Sequence, residues 1–96
     1  MKITSTAEGT TTTLALEGWL DSATAPEFGA ALAAIDSSCE ELIIDLSALE
    51  YISSAGLRQL VVAYKQMKGH LTICNTTAEV MQVFKVAGFD KRLRIV

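Results

Sequence analysis

The 96-residue chain has one histidine and two cysteines, and that scarcity removes several chemistries at once. Cys39 and Cys74 show no CxxC spacing, and His70 has no second histidine to join it. Such a set cannot furnish a structural zinc site or a disulfide framework. Both thiols are expected to be buried, reduced and used as small hydrophobes. His70 follows Gly69 ahead of a predicted strand and reads as a surface turn residue rather than a base or ligand. Long apolar runs are also missing: the longest span only a few residues, as in "VVA", and "MKITSTAEG" has no apolar segment of signal-peptide length. A cytoplasmic protein with no direct membrane contact is expected. Positive charge is in deficit, with eight Lys and Arg against eleven Asp and Glu and a net charge of -3. The cations read as spread along the chain without a cluster, which gives a nucleic-acid backbone nothing to hold. Neither GxGxxG nor GxxxxGK[ST] occurs, so no nucleotide site is indicated and no cofactor is expected.

What the chain does have is apolar content, at 50%. That suffices for one domain over residues 1–96, although a domain of this size buries only about 60 to 65% of its unfolded surface. Little remains for a large ligand cavity. "MKITST" and "TTTLALEGWL" alternate in polarity around "AEGT" and predict an antiparallel hairpin. In "DSATAPEFGAALAAIDSS", Thr24 and Glu27 have capping-box spacing, Pro26 lies in the first turn, and Phe28, Ala31, Leu32 and Ile35 recur at helical intervals. The short apolar "ELIIDL" predicts a strand covered on both faces.

A second helix follows, with Leu57, Leu60, Val61 and Tyr64 on its inner face and Gly69 as its stop. "HLTIC" reads as a strand. A third helix covers roughly Ala78 to Ala87, with Thr76 and Glu79 as a capping box, Val80, Val83, Phe84 and Ala87 inward, and Gly88 as terminator. "RLRIV" closes the sheet. The order ββαβαβαβ predicts an α/β fold with three main helices and a mixed, mostly parallel sheet that begins with the N-terminal hairpin. Sites in such sheets gather where strands end and helices begin. The loops "GWLDSATAP", "DLSALEYISSAG" and "CNTTAE" compete for that position.

A serine nucleophile in "ISSAG" would need a base in reach, and only His70 is available; the context also differs from GxSxG. Asp21 and Asp45 each follow an apolar strand, either to converge at one edge or, for Asp21, to cap the first helix. Ser53 and Ser54 stand at a helix start, where a serine oxygen commonly accepts an orphaned N–H. Gly56 in the first turn costs up to about 1 kcal/mol relative to alanine, and the expectation is that it keeps this surface open. An open helix start also favours a phosphate, through free N–H groups and the helix dipole.

The segments "LIIDLSALEYISSAGLRQLVVAYKQMK" and "GWLDSATAPEF" resemble the anti-sigma factor antagonist family of STAS domains. That family has a D-[LF]-S strand end, a D-S-[ST]-G-L-like box opening a helix, and an earlier G-x-L-D-x-x-T-A-P-x-[LF] segment. The likeness covers essentially the whole chain and implies the STAS fold. The glycine-leucine pair sets the register, so the resemblance implies phosphorylation at Ser54, with Ser53 the alternative where many members carry aspartate. It further implies that Asp21, Ser22, Thr24, Ser53, Ala55, Gly56 and Arg58 lie about that acceptor on the partner-binding surface. The implied protein is not an enzyme but a partner-switching regulator of transcription, a monomer or weak dimer. Unphosphorylated, it would bind an anti-sigma factor serine kinase; phosphorylated, it would be released, with a serine phosphatase resetting the switch. ATP and magnesium would be on the kinase side. The alternative expectations are an accessory subunit of a lipid or anion transport complex and, from another class, a hydrolase using Ser54.

Overall fold

In the computed structural model, which describes all 96 residues, the hairpin is longer than its alternation suggests. Strand β1 (Lys2–Glu8) pairs antiparallel with β2 (Thr11–Leu20), leaving only Gly9 and Thr10 as the turn. Gly9 takes φ +62° there, a conformation that costs glycine little. Then come α1 (Ala25–Ala33), β3 (Glu41–Ile52), α2 (Ser54–Gln66), β4 (Leu71–Cys74), α3 (Ala78–Ala87) and β5 (Arg94–Ile95). The order of elements is the expected ββαβαβαβ.

The five strands lie in the order β1-β2-β3-β4-β5, and every pair after the hairpin is parallel. From β2 onward the strands advance in one direction across the sheet, and right-handed crossovers then put all three helices on the same face. The core sits between that face and the helices. Leu14, Leu16, Leu42, Ile44, Leu71 and Ile73 are buried there with Phe28, Leu32, Leu60 and Phe84. The opposite face is uncovered, with Thr13, Ala15, Ile43, Thr72 and Cys74 half-exposed. The expectation that "ELIIDL" is covered on both sides is therefore corrected: Leu42 and Ile44 face the helices, whereas Ile43 lies on the open side.

Strand β3 also runs six residues past its expected end, through most of what reads as a loop. Twice along its pairing with β2 it carries one extra residue: Asp45 to Ala48 opposes Ala15 to Glu17, and Leu49 to Tyr51 opposes Gly18 to Trp19. These are β-bulges, and they break the alternation that marks a strand in sequence. Leu46, Leu49 and Ile52 are buried at intervals of three instead of two. The first bulge is held by Asp45, whose Oδ1 accepts the Ser47 N–H at 2.9 Å.

The helices form where expected but differ in detail. Helix α1 buries Phe28 and Leu32, with Ala31 and Ile35 half-buried, but Thr24 does not form a capping box, because its hydroxyl makes no cap hydrogen bond. Helix α2 buries Gly56, Leu60 and Ala63, with Met67 buried at its C-cap, while Leu57 and Val61 are half-buried and Tyr64 is exposed. Two of those contact residues are small, and reading only the large apolar side chains turns the predicted face away from them. Helix α3 starts at Thr77 rather than Thr76: Thr77 Oγ1 accepts the Val80 N–H at 3.4 Å and donates to the Leu49 carbonyl at 3.1 Å. Thr76 Oγ1 is buried without a partner. Ala87, expected inward, is exposed. Gly88 ends the helix at φ +77°. The tail keeps only two strand residues, because Phe89–Lys91 forms a 3-10 turn in which Phe89 stacks on Phe84 with ring centroids 6.1 Å apart. Cys39 and Cys74 are both free and half-buried, not fully buried.

Gly56 and Gly29 give opposite predictions for the same substitution. A Cβ at Gly56 would lie 2.7 Å from Ile52 Cγ1, 2.8 Å from Leu20 Cγ and 2.9 Å from the Leu20 carbonyl oxygen. Gly56→Ala should destabilise the fold by about 1 to 3 kcal/mol. At Gly29 the nearest atom is the Gln59 Oε1 at 3.4 Å, the end of a flexible side chain. Gly29→Ala should be stabilising, by up to about 1 kcal/mol from helix propensity. Urea unfolding of the two variants beside the parent checks both signs.

The Ser47 N–H holds the Asp45 carboxyl below its ordinary value of 3.8. The folded value is the lower one, so the contribution is present above the unfolded value and is lost as pH falls through the folded one. Asp45→Ala should lower stability at about pH 6 and narrow the gap to parent near about pH 2, which urea midpoints at the two pH values would show.

Candidate functional site

Strands β2 and β3 end level, with Leu20 opposite Ile52. The chain leaves the sheet on both at once: Asp21 opens the turn to α1 and Ser53 opens α2. The Ser53 N–H donates to the Leu20 carbonyl at 2.9 Å, joining the two exits.

The turn is tied by its own side chains. Asp21 Oδ1 accepts the N–H groups of Ala23 and Thr24 at 2.9 and 3.1 Å. The Thr24 hydroxyl accepts the Asp21 N–H at 2.9 Å and donates to the Trp19 carbonyl at 2.7 Å. The Ala25 N–H donates to the Asp21 carbonyl at 2.7 Å. Asp21 thus organises the approach to α1, satisfying donors that the helix start would leave orphaned. Thr24 is engaged with this turn and not with the helix. Asp45 lies seven residues before the end of β3, so the two carboxylates do not converge.

At α2, Ser53 is the extended N-cap residue, with φ -100° and ψ 177°. Its Oγ accepts the Gly56 N–H across a long 3.5 Å, and its carbonyl accepts the Leu57 N–H at 2.9 Å. Ser54 is the first helical residue and is exposed; its hydroxyl makes no hydrogen bond within the chain. The N–H groups of the first turn and the positive helix end surround it. Arg58 is exposed four residues on, on the same helical face as Ser54. Ser22 is exposed in the neighbouring turn, and Ala55 is half-buried.

Gly56 does not keep the surface open, as expected from its helix cost; it is buried and faces Leu20 and Ile52. Its hydrogen atom occupies a gap where no methyl fits. His70 lies at the far end of the sheet, with its Nδ1 3.7 Å from Glu41 Oε2 at the start of β3. That is roughly 30 Å from Ser54 along β3. A histidine-activated serine is therefore excluded by distance.

Two exposed aromatics beside this site escaped the sequence reading. Trp19 and Tyr51 are partners in the β2–β3 register, 57% and 46% exposed, with ring centroids 5.4 Å apart at 51°. Their signal was available in principle: each directly precedes the last buried residue of its strand, and so must point away from the core.

A family model described as "Mlab, STAS domain" matches residues 3–96. A protein of Bordetella bronchiseptica named as the anti-sigma factor antagonist BtrV is 40% identical over 78 residues, covering 77% of this chain and 67% of its own. The crystal structure of an anti-sigma factor antagonist from Mycobacterium paratuberculosis superposes with a TM-score of 0.88 at 23% identity, over 98% of this chain and 83% of that one. The anti-sigma factor antagonist SpoIIAA shares the fold in two forms. Its unphosphorylated form gives a TM-score of 0.74 at 15% identity, over 99% and 87% of the two chains. The phosphorylated Bacillus form gives 0.67 at 14%, over 99% and 91%.

The geometry separates the two serines. Ser53→Ala removes a long cap bond and should cost about 0.5 to 1 kcal/mol, whereas Ser54→Ala removes a hydroxyl with no partner and should stay within about 0.5 kcal/mol of the parent. Urea unfolding of both variants measures the difference.

Proposed function

Because the chain belongs to the STAS domain family, we propose that it is an anti-sigma factor antagonist whose partner contact is switched by phosphorylation of Ser54. The observation that carries this reading is the contrast between adjacent hydroxyls. Ser53 is half-buried and committed to the helix cap, whereas Ser54 is exposed, unbonded and set among free N–H groups. Unphosphorylated, the surface around Ser22, Ser54 and Arg58 binds an anti-sigma factor serine kinase. Asp21, Thr24, Ser53, Ala55 and Gly56 shape that surface from beneath. The protein does no chemistry of its own; the kinase supplies ATP and magnesium, and a serine phosphatase returns the hydroxyl. Such a module works in the cytoplasm, on transcription. No helix in the chain is long and apolar enough to cross a membrane.

A phosphate on Ser54 adds about -1.5 to -2 charge at neutral pH. At a helix N-terminus that charge is locally favourable, so the fold tolerates it. The cost falls on the complex, where a dianion must be desolvated beside the kinase's own nucleotide phosphates. A penalty of about 1.4 kcal/mol already weakens binding tenfold.

Incubation with the cognate kinase and ATP, followed by phosphopeptide mapping, should place the phosphate on Ser54 and none on Ser53. Ser54→Ala should abolish incorporation, and Ser54→Asp should weaken kinase binding by about tenfold or more. An unmodified Ser54 together with undiminished binding by Ser54→Asp would overturn the reading. A stable complex with a transporter ATPase, indifferent to phosphorylation, would replace it with the transport role.

A further inference from the structure

The cations are not evenly spread along the chain, contrary to the expectation from composition. Seven of the eight Lys and Arg residues lie beyond residue 53, with only two of the eleven Asp and Glu. The one ion pair within 4.0 Å is His70 with Glu41, so none of these seven is neutralised inside the chain.

Some of that charge flanks an apolar groove of about 350 Å³ between α2 and the 3-10 turn, formed by Val61, Tyr64, Phe89 and Leu93 and edged by Lys65 and Arg92. The groove lies against the C-terminal half of α2, on the face that Ser54 begins at the other end. Ser54, Arg58, Val61 and Lys65 recur at i, i+4, i+7 and i+11, which puts them on one helical face. Eleven residues of helix span roughly 16 Å, within the footprint of a standard interface of about 800 Å² per partner.

We propose that this groove docks an acidic amphipathic helix of the partner protein, its apolar side chains between Tyr64 and Phe89 and its carboxylates against Lys65 and Arg92. The assignment of that helix to the anti-sigma factor rests on the function proposed above; the groove's preference for acid does not. Charge complementarity selects the occupant, since four apolar residues would accept any amphipathic segment, whereas unpaired cations at the rim favour carboxylates and reject lysines. A phosphate at the head of the same stripe lies about 16 Å from Lys65, beyond the screening length of about 10 Å at 0.1 M salt, so it acts on the neighbouring Arg58 and not on carboxylates in the groove.

The test is titration of the intact, isotopically labelled chain with a Leu/Glu amphipathic peptide of about 18 residues, long enough to hold a helix, followed by amide chemical shifts. The expected shifts fall on Val61, Tyr64, Phe89 and Leu93. A Leu/Lys peptide of the same pattern should not bind there. Lys65→Glu combined with Arg92→Glu, both exposed and unpaired, should keep the unfolding midpoint and weaken the Leu/Glu peptide about tenfold or more. Lys85→Glu, which alters a cation outside the groove, should change affinity less than about twofold. Equal binding of both peptides, shifts confined to the open sheet face, no shifts at all, or equal loss in the Lys85→Glu variant would each overturn the proposal. Mapping of phosphate on Ser54 is unaffected by any of these outcomes, and an unphosphorylated Ser54 would leave the groove titration standing.

Discussion

The structure depends on the close approach of α2 to the ends of β2 and β3 at Gly56. With contacts of 2.7 to 2.9 Å awaiting any Cβ, no other residue lets the first turn of the helix settle against Leu20 and Ile52. That seating brings the Ser53 N–H onto the Leu20 carbonyl, and so fixes the Asp21 turn relative to the helix start. It also decides which way the first turn faces. With Gly56 pointing inward, Ser54, two residues earlier on a helix of 3.6 residues per turn, points outward. A glycine that costs helix stability thus sets the position and exposure of the neighbouring hydroxyl, which is a different role from leaving room at the surface.

The same region shows where sequence reading succeeds and where it stops. The order of elements and the C-terminal glycine of α3 were legible because each rests on local signals: hydrophobic period and a left-handed cap. The end of β3 was not. Its alternation is broken by two bulges, and bulges are decided by how β2 and β3 pair, which involves residues some thirty positions apart. Asp45 illustrates the loss. It reads as a loose strand-end carboxylate that could belong to a site, yet its side chain folds back onto the Ser47 N–H and holds the bulge. Its neighbours then bury Leu46, Leu49 and Ile52 at the wrong interval for a strand.

Small residues account for most of the remaining differences. Gly56 and Ala63 are two of the three buried residues of α2, and neither carries weight when apolar periodicity is judged from large side chains. The predicted face consequently included Tyr64, which is exposed and borders the groove with Phe89 and Leu93. Thr24 and Thr76 erred in a related way. Capping-box spacing identifies a hydroxyl that could serve a helix start, but Thr24 is claimed by the Trp19 carbonyl, and Thr77 takes the place of Thr76 by bonding to β3 as well. Tertiary partners outbid local ones wherever a hydroxyl has a choice.

These points together explain why adjacent serines can divide two roles. A cap residue must hold its oxygen over the helix end, which makes Ser53 half-buried and leaves its oxygen committed. The next residue has already entered the helix, so its side chain is released from capping while still sitting in the positive field of the same terminus. An anion placed on it gains from that field and disturbs no existing bond. Under the proposed phosphorylation, the helix start would accept a phosphate without being organised around one. Any change in partner affinity must arise from the surface the phosphate faces and not from a rearranged fold, and along α2 that surface continues directly into Arg58 and the cationic groove.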